Sequence, residues 1–312
     1  MADHSRRGKK LSGPLHALGI ALVSSLALPA AARAQIPPTV LPFIDLKCYG
    51  ITNSDGTPLP PLNVPLHLDQ LNPLLLQIGF PAEDVVLLSP TQLCVPVAKN
   101  GVIPPPDALR FIQYIDLKCY NTRRRQAPVL QLRHLNPVLQ NLPIEQVIVE
   151  ATERLCVPVA KVNSDGTPAI PPPDVLPSVR FIDQKCYPIK GLDGRPLPPL
   201  GFPVHLDHLN PVLTPDIAPP EDVVMQEPTQ LCVPVAKDGQ FPPPTDLRVI
   251  EQIDLKCYGI QGDPLGLPQQ LFHLNPRLET LPSESVLIQE PQQLCVPVQK
   301  QFSIPNVPFV PH

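Results

Sequence analysis

The feature that most constrains this chain is a couple of cysteine motifs that occurs four times. Each couple opens with Lys-Cys-Tyr, as at residues 47–49, and closes with Leu-Cys-Val-Pro-Val, as at residues 93–97. An even number of cysteines at repeated spacing is typical of disulfides in an exported protein. We therefore predict one disulfide within each couple. The four couples contain all eight cysteines, as Cys48 with Cys94, Cys119 with Cys156, Cys186 with Cys232, and Cys257 with Cys295.

Two other uses of the cysteines stay open at this point. Disulfides could instead join adjacent couples, but that scheme leaves Cys48 and Cys295 stranded at opposite ends of the chain. Zinc sites usually take ligands that are close in sequence, and no two cysteines are nearer than Cys94 and Cys119. The within-couple set is preferred to both. The adjacent scheme would link Cys94 to Cys119, Cys156 to Cys186, and Cys232 to Cys257.

Residues 1–34 have the three parts of a secretory signal peptide. A basic start is followed by a mostly apolar run over residues 15–28, and Ala32-Arg33-Ala34 is a small-x-small cleavage pattern. The apolar run is shorter than the ~20 residues that a spanning helix needs. We predict cleavage near Ala34, a periplasmic or extracellular location, and no membrane span in the mature chain.

Composition limits the partners and the size of the core. Residues 1–34 hold five of the 24 basic and one of the 28 acidic residues, so the remaining chain has a net charge of about −8. An acidic chain gains little from counterion release, and we expect no nucleic-acid partner. With no Trp and 48 Pro, each repeat can bury only a thin core, and cores of that kind usually need covalent support.

The spacing of the cysteines predicts how the repeats are grouped. The first and third couples span 46 positions, whereas the second and fourth span 37 and 38. This long-short-long-short order suggests that a pair of repeats was duplicated. We predict an all-β fold of disulfide-stapled, β-sandwich-like modules. One domain covers residues 35–173, a second covers residues 174–300, and a Pro-rich tail follows over residues 301–312.

Local patterns favour strands throughout each repeat. Ile44, Leu46 and Cys48 alternate with polar residues, as in a half-buried strand. Residues 144–155 have helical spacing, but the sister repeats carry proline where this one has Thr152, and an interior proline breaks a helix. We therefore predict two short strands there. Proline lacks a backbone N–H and is tolerated mainly at sheet edges, so we expect edge strands at Pro96, Pro158, Pro234 and Pro297.

Histidines and aspartates repeat together with the cysteines. His134, His208 and His273 each precede Leu-Asn-Pro, which could indicate a repeated metal site, but the first repeat has Gln70 there. A histidine that bonds to nearby backbone in a turn is the preferred interpretation. An aspartate stands two positions before each opening-motif lysine, and an exposed ion pair of little energetic weight is preferred to catalysis. These aspartates are Asp45, Asp116, Asp183 and Asp254.

No motif in the sequence predicts catalysis or a cofactor. The Asp-Gly turns, such as residues 53–58, lack the ligand pattern of a calcium-binding loop. Sequence signatures of hydrolases, nucleotide-binding loops and zinc proteases do not occur. Since the predicted disulfides use every cysteine, no thiol nucleophile is left. We expect a protein without enzymatic activity, metal or cofactor.

Four tyrosines directly follow the opening cysteines. If the cysteines point inward, the next side chains point outward, and tyrosine is a frequent interface residue. Tyr49, Tyr120, Tyr187 and Tyr258 are therefore candidates for a contact surface. The preferred alternative is that they are covered by the second layer of a sandwich.

The paired motifs, Lys-Cys-Tyr and Leu-Cys-x-Pro-Val-x-Lys in tandem behind a signal peptide, resemble an uncharacterised family of secreted bacterial repeat modules. The resemblance covers residues 43–300. It implies an exported, β-rich protein of bacterial origin made of disulfide-linked sandwich units, with no known activity to transfer. The middle segments depart from that family, because only Asp69-Gln70 approaches its Asp-Gln-Phe-like strand.

Two hypotheses for the function follow. The first is a secreted or cell-surface structural or binding repeat protein, whose ligand is an unidentified protein or glycan. The alternative is a secreted hydrolase, or an accessory module of one.

Overall fold

The structure is a computed structural model that describes residues 35–80, 82–122, 129–149 and 154–301. The predicted signal peptide and residues 302–312 of the predicted tail lie outside the described residues. The described residues group into one compact unit.

Strands dominate the described residues, and the predicted all-β class is confirmed. Short helical segments lie at Pro38–Phe43 (3₁₀), α1 (Pro73–Gln77), α2 (Pro106–Ile112), α3 (Leu176–Val179) and α4 (Pro244–Ile250). The strands are β1 (Leu46–Thr52), β2 (Val64–Gln70), β3 (Glu83–Lys99), β4 (Leu117–Thr122), β5 (Val129–His134), β6 (Glu145–Val149), β7 (Arg154–Lys161), β8 (Asp183–Lys190), β9 (Phe202–His208), β10 (Glu221–Met225), β11 (Pro228–Lys237), β12 (Asp254–Gly259), β13 (Leu267–His273) and β14 (Glu284–Gln301).

The cysteine-bearing strands form a closed antiparallel ring. Going around it, each strand pairs with the next in the order β1, β3, β4, β7, β8, β11, β12 and β14. β14 then pairs with β1, for example at Leu46 opposite Cys295, and closes the ring. Closure gives every ring strand a neighbour on both sides, which removes the exposed edges that an open sheet would leave.

The predicted division into two domains is wrong. β7 of the second repeat pairs with β8 of the third, across the expected boundary near residues 171–173. β1 of the first repeat pairs with β14 of the fourth. The physical reason is that a pair of repeats would leave two open edges, whereas four repeats in a ring satisfy one another's edges.

The middle strands interlock repeats that are two apart in sequence. β2 pairs with the first half of its own β3 and then continues along β11 of the third repeat. β9 of the third repeat pairs with β10 and, in return, with the end of β3. The second and fourth repeats exchange β5 and β13 in the same way. These outer strands cover the ring and form a second layer of the fold.

The prediction of edge strands at the closing prolines is wrong, and the ring shows how each proline is accommodated. Val97 N–H donates to the Asp45 carbonyl at 2.9 Å, so Pro96 faces the other side of β3. On that side the neighbour of β3 changes from β4 to β9, and Leu209 N–H donates to the Pro96 carbonyl at 3.0 Å. The missing N–H therefore falls where the strand changes partner. The same bond to the proline carbonyl occurs at Pro158, Pro234 and Pro297.

The two ends of the ring differ in polarity. On one side of the cysteine layer, Leu46, Leu117 and Leu255 pack with apolar side chains of α2 and α4. On the other side, Gln92 lies opposite Gly50, and Arg154 Nη1 donates to Gln92 Oε1 at 2.7 Å. One end is thus closed by short helices, and the other is lined by amides and one guanidinium.

The segment with helical spacing is built from strands, as predicted. β6 and β7 account for it on either side of residues 150–153, which lie outside the described residues together with Thr152. Tertiary pairing therefore overrides local helix propensity here.

Candidate functional site

The four within-couple disulfides are confirmed. They join Cys48 to Cys94, Cys119 to Cys156, Cys186 to Cys232 and Cys257 to Cys295, with S–S distances of 1.98–2.04 Å. In each case the two cysteines lie directly opposite each other on neighbouring strands. Each disulfide therefore fastens the opening strand of a repeat to its closing strand.

Neighbouring disulfides also touch one another. Cys94 Sγ lies 3.7 Å from Cys119 Sγ, and three further contacts of 3.8 Å continue around the ring. The last contact joins Cys48 and Cys295, which strand closure brings together from opposite ends of the chain. All eight sulfurs therefore form a closed ring of alternating bonds and contacts. The 3.8 Å contacts are Cys156 to Cys186, Cys232 to Cys257, and Cys48 to Cys295.

The ring interior is almost filled. The cysteines are only 1–5% exposed. A cavity of about 10 Å³ remains, lined by the cysteines, by Leu46, Leu117 and Leu255 on one side, and by Gln92, Gln230 and Gln293 on the other. Such a space holds about one water molecule. No organic molecule fits this space unless the glutamine side chains that line it move aside.

The aspartates of the opening strands form buried ion pairs, contrary to the expected exposed ones. Asp45 pairs with Lys99 of the closing motif, not with Lys47, and both side chains are buried. Asn136 Nδ2 of the next repeat donates to Asp45 Oδ2 at 2.7 Å. The expectation failed because the outer strands cover this face of the ring. The other pairs are Asp116–Lys161, Asp183–Lys237 and Asp254–Lys300.

Burial shifts the pKa of both partners in these pairs. Desolvation raises the pKa of Asp45 and lowers the pKa of Lys99, and their mutual attraction opposes both shifts. The pKa of Asp183, paired with Lys237, is raised to about 6. Removing one partner would leave an uncompensated charge in the interior, which is strongly destabilising.

The opening-motif lysines form a second set of ion pairs, with glutamates two repeats away. Lys47 pairs with Glu221, and its Nζ also lies 4.7 Å from the ring centre of Tyr49. This cation–π contact places the lysine over the aromatic face. The remaining pairs are Lys118–Glu284, Lys185–Glu83 and Lys256–Glu145.

The tyrosines do not form the candidate contact surface. Tyr49, Tyr120, Tyr187 and Tyr258 are at most 1% exposed, because the exchanged outer strands cover them. The alternative, a tyrosine under a second layer, is confirmed. Each hydroxyl meets a side chain from the repeat two positions away: Tyr49 with His208 (2.8 Å), Tyr120 with His273 (2.6 Å), Tyr258 with His134 (2.6 Å) and Tyr187 with Gln70 (3.4 Å).

The histidines before Leu-Asn-Pro therefore bond to tyrosine hydroxyls, where bonds to nearby backbone in a turn were expected. Desolvation lowers the pKa of His134 to about 3, and the positive charges of Lys256 and Lys99 add to the shift. The pKa values of His208 and His273 are also lowered to about 3, for the same reasons. These imidazoles stay neutral near pH 7.

Two other histidines lie on the exterior. His67 Nδ1 lies 2.8 Å from Asp84 Oδ1, and His205 Nδ1 lies 2.8 Å from Asp222 Oδ1. The carboxylates raise the pKa of both imidazoles. Among the described residues, no three His, Cys, Asp or Glu side chains converge as a metal site.

Sequence reasoning missed the roles of the glutamates and the asparagines. Each glutamate stands two positions before an apolar run, as in Glu83-Asp84-Val85, and each asparagine belongs to Leu-Asn-Pro. Both recur in all four repeats. Their recurrence could have predicted these roles, because residues that join one repeat to another must occur in every repeat.

The comparisons with known proteins provide no relative. No protein-family model matches the chain, and no curated protein or solved structure is significantly similar to it. The described helices are at most seven residues long, and none of them could cross a membrane.

Proposed function

We propose that this chain is an exported structural repeat protein that binds a polar ligand, a glycan or a protein, at the amide-lined end of its ring. The observation that carries the proposal is the use of the repeated polar residues. Asp, Lys, Tyr, Asn and Glu of the four repeats, and His of three of them, contact one another in buried or partly buried positions. Such an interior supports persistence of the fold and leaves ligand recognition to the ends of the ring.

Export is supported by two independent features. Each of the four repeats has a disulfide between two ring strands, and disulfides of this kind persist in oxidising compartments. Residues 1–34 carry the sequence pattern of a signal peptide. Both are what a bacterial protein of the periplasm or cell exterior needs.

The amide-lined end offers a concave surface of suitable size and chemistry. A pocket of about 330 Å³ is lined there by Gly50, Thr91, Arg154, Glu290 and Gln292, among others. This volume is at the lower end of the range for small-ligand sites. Amide, hydroxyl and guanidinium groups supply donors and acceptors, which suit the hydroxyls of a glycan or the polar side chains of a protein.

The test combines export with binding. The full-length chain, produced in a bacterium, should be recovered outside the cytoplasm with residues 1–34 removed. The oxidised protein is then titrated against a panel of envelope glycans and proteins. We expect binding without turnover, weakened by Gln292→Ala and not by the control Gln299→Ala, which lies in a different pocket. Binding that is insensitive to Gln292→Ala, or a chain retained in the cytoplasm, would contradict the proposal.

A second candidate function, a secreted hydrolase, has one observation in its favour. His67–Asp84 and His205–Asp222 are exposed imidazole–carboxylate pairs, and such pairs can act as general bases. Turnover of a panel substrate that is lost in His67→Ala or His205→Ala would favour the hydrolase. We rank the hydrolase second because it lacks a nucleophile. Among the described residues, His67 and His205 form hydrogen bonds to aspartate and not to serine, and no cysteine is free.

A further inference from the structure

The sulfur ring places a potential nucleophile next to every disulfide. Disulfides exchange when a thiolate attacks a disulfide sulfur and displaces the other sulfur as a new thiolate. Every sulfur in the ring is bonded to one neighbour and lies 3.7–3.8 Å from another. If one bond is opened, the released thiolate therefore already touches the next disulfide.

We propose that the sulfur ring is an intramolecular relay for thiol–disulfide exchange, started by a low-molecular-weight thiol. The relay moves the free thiolate from one repeat to the next without unfolding the ring. The thiol must be small because the cysteines are almost completely buried. The opening cysteines are 1% exposed, and the closing cysteines Cys94, Cys156, Cys232 and Cys295 are 4–5% exposed. A small thiol that reaches the ring therefore meets a closing cysteine first.

The first steps can be written for the first repeat. The small thiolate attacks Cys94 Sγ, forms a mixed disulfide with it and releases Cys48 as a thiolate. Cys48 attacks Cys295 Sγ, 3.8 Å away. The Cys48–Cys295 bond forms, the Cys257–Cys295 bond breaks, and Cys257 becomes the thiolate.

The same step then continues around the ring. The thiolate of each opening cysteine attacks the closing cysteine of the preceding repeat, until Cys119 attacks Cys94 Sγ at 3.7 Å and expels the small thiolate. Four disulfides exist before and after, so no oxidant or reductant is consumed. The product is the adjacent pairing: Cys48–Cys295, Cys94–Cys119, Cys156–Cys186 and Cys232–Cys257.

The relay makes a prediction about which cysteines can be free. In Cys94→Ser, Cys48 keeps a free thiol beside Cys295. Each exchange moves the free thiol from one opening cysteine to the next opening cysteine, because the attacked sulfur is always a closing one. After incubation at mildly alkaline pH without added thiol, alkylation and peptide mass mapping should place the label on opening cysteines only. Those are Cys48, Cys257, Cys186 and Cys119.

The matched variant is Cys48→Ser, which frees Cys94 beside Cys119. Here the relay runs in the opposite direction, and the label should appear on closing cysteines only: Cys94, Cys156, Cys232 and Cys295. Label that stays on the first free cysteine would overturn the proposal. Label on both classes in either variant would also overturn it, since that pattern is scrambling through an unfolded chain. The fully unfolded variants in guanidinium give the reference pattern for scrambling.

A measurement on the wild-type protein covers the case in which these variants do not fold. The oxidised protein is incubated with a trace of 2-mercaptoethanol, quenched with acid and mapped without reduction. Peptides of the adjacent pairing should appear, and they should be absent without the thiol. Retention of only the original pairing, or pairs between sulfurs that do not touch, would refute the relay.

Discussion

The three histidines that bond to tyrosine should make the protein sensitive to mild acid; His134 and His273 are buried, and His208 is partly buried. His134, His208 and His273 each bond through Nε2 to a tyrosine hydroxyl. In the first repeat Gln70 occupies the histidine position and donates to the Tyr187 hydroxyl. Replacing a histidine with glutamine therefore keeps the hydrogen bond to tyrosine but removes the group that titrates. The perturbation is therefore the triple variant His134→Gln/His208→Gln/His273→Gln.

The sign and size of the effect follow from the pKa values. The folded-state pKa of about 3 lies below the ordinary value of 6.5. Between these values the unfolded chain binds protons that the folded chain does not, so stability is lost as the pH falls below about 6.5. At about 1.4 kcal/mol per pH unit, each histidine costs roughly 2 kcal/mol at pH 5, and the three together cost about 6 kcal/mol.

Other groups titrate with the opposite sign, and for this reason the comparison with the variant is needed. Burial raises the pKa of Asp45 and Asp116, so the folded chain takes up protons on these carboxyls and gains stability as the pH falls. The variant keeps these carboxyls unchanged. The difference in pH dependence between wild type and variant therefore isolates the histidines.

The assay is guanidinium unfolding with disulfides intact, followed by circular dichroism at pH 7, 6 and 5. We expect the free energy of unfolding to fall more steeply with acid in the wild type, by about 6 kcal/mol more than in the variant at pH 5. The control is His67→Gln/His205→Gln, which removes exposed histidines of raised pKa and should not flatten the curve. Equal pH dependence of wild type and triple variant would refute the lowered pKa of these three histidines.

Three further predictions concern the interior. Lys161→Met should destabilise the protein by about 3–5 kcal/mol, because it leaves the buried Asp116 without its cation. The exposed control Arg195→Met should change the unfolding free energy by less than about 1 kcal/mol. Similar losses in both variants would argue against burial of the Asp116–Lys161 pair. Tyr49→Phe, which leaves His208 without its hydroxyl partner, should cost about 1–3 kcal/mol in the same assay, and an unchanged midpoint would contradict the pairing. Complete reduction should unfold the chain at neutral pH. The four disulfides contribute about 3–4 kcal/mol each, whereas the net free energy of unfolding of a domain is only about 5–15 kcal/mol. A native circular dichroism spectrum after reduction and alkylation would contradict this prediction.

Local sequence patterns were enough to predict the class of fold and the disulfides. Alternation around Cys48 predicted a strand, and repetition of the couples predicted one staple per repeat. Both the strand and the disulfide involve residues of one repeat, so the sequence of that repeat is enough to predict them.

Long-range arrangement was not predictable in the same way. The partner of Asp45 is Lys99, and the partner of Lys47 is Glu221, although Asp45 and Lys47 stand next but one in the chain. Ring closure and strand exchange decide these partners. Nothing in one repeat shows that its middle strand will cover the tyrosine of another repeat.

The closing prolines show a further limit. Because Pro96 has no backbone N–H, the sequence predicted an edge strand, where proline is mainly tolerated. The ring offers another way to accommodate the proline, because β3 changes neighbour at that residue. Only the pairing on both sides of the strand shows this.

The most direct test of the closed ring is the anomalous scattering of its sulfurs in a crystal of the oxidised protein. The account predicts eight cysteine sulfur peaks on one closed loop, in which disulfide bonds alternate with contacts near 3.8 Å. In particular, the peaks of Cys48 and Cys295 should lie side by side. Four isolated disulfides, or two separate groups with Cys48 and Cys295 far apart, would contradict it.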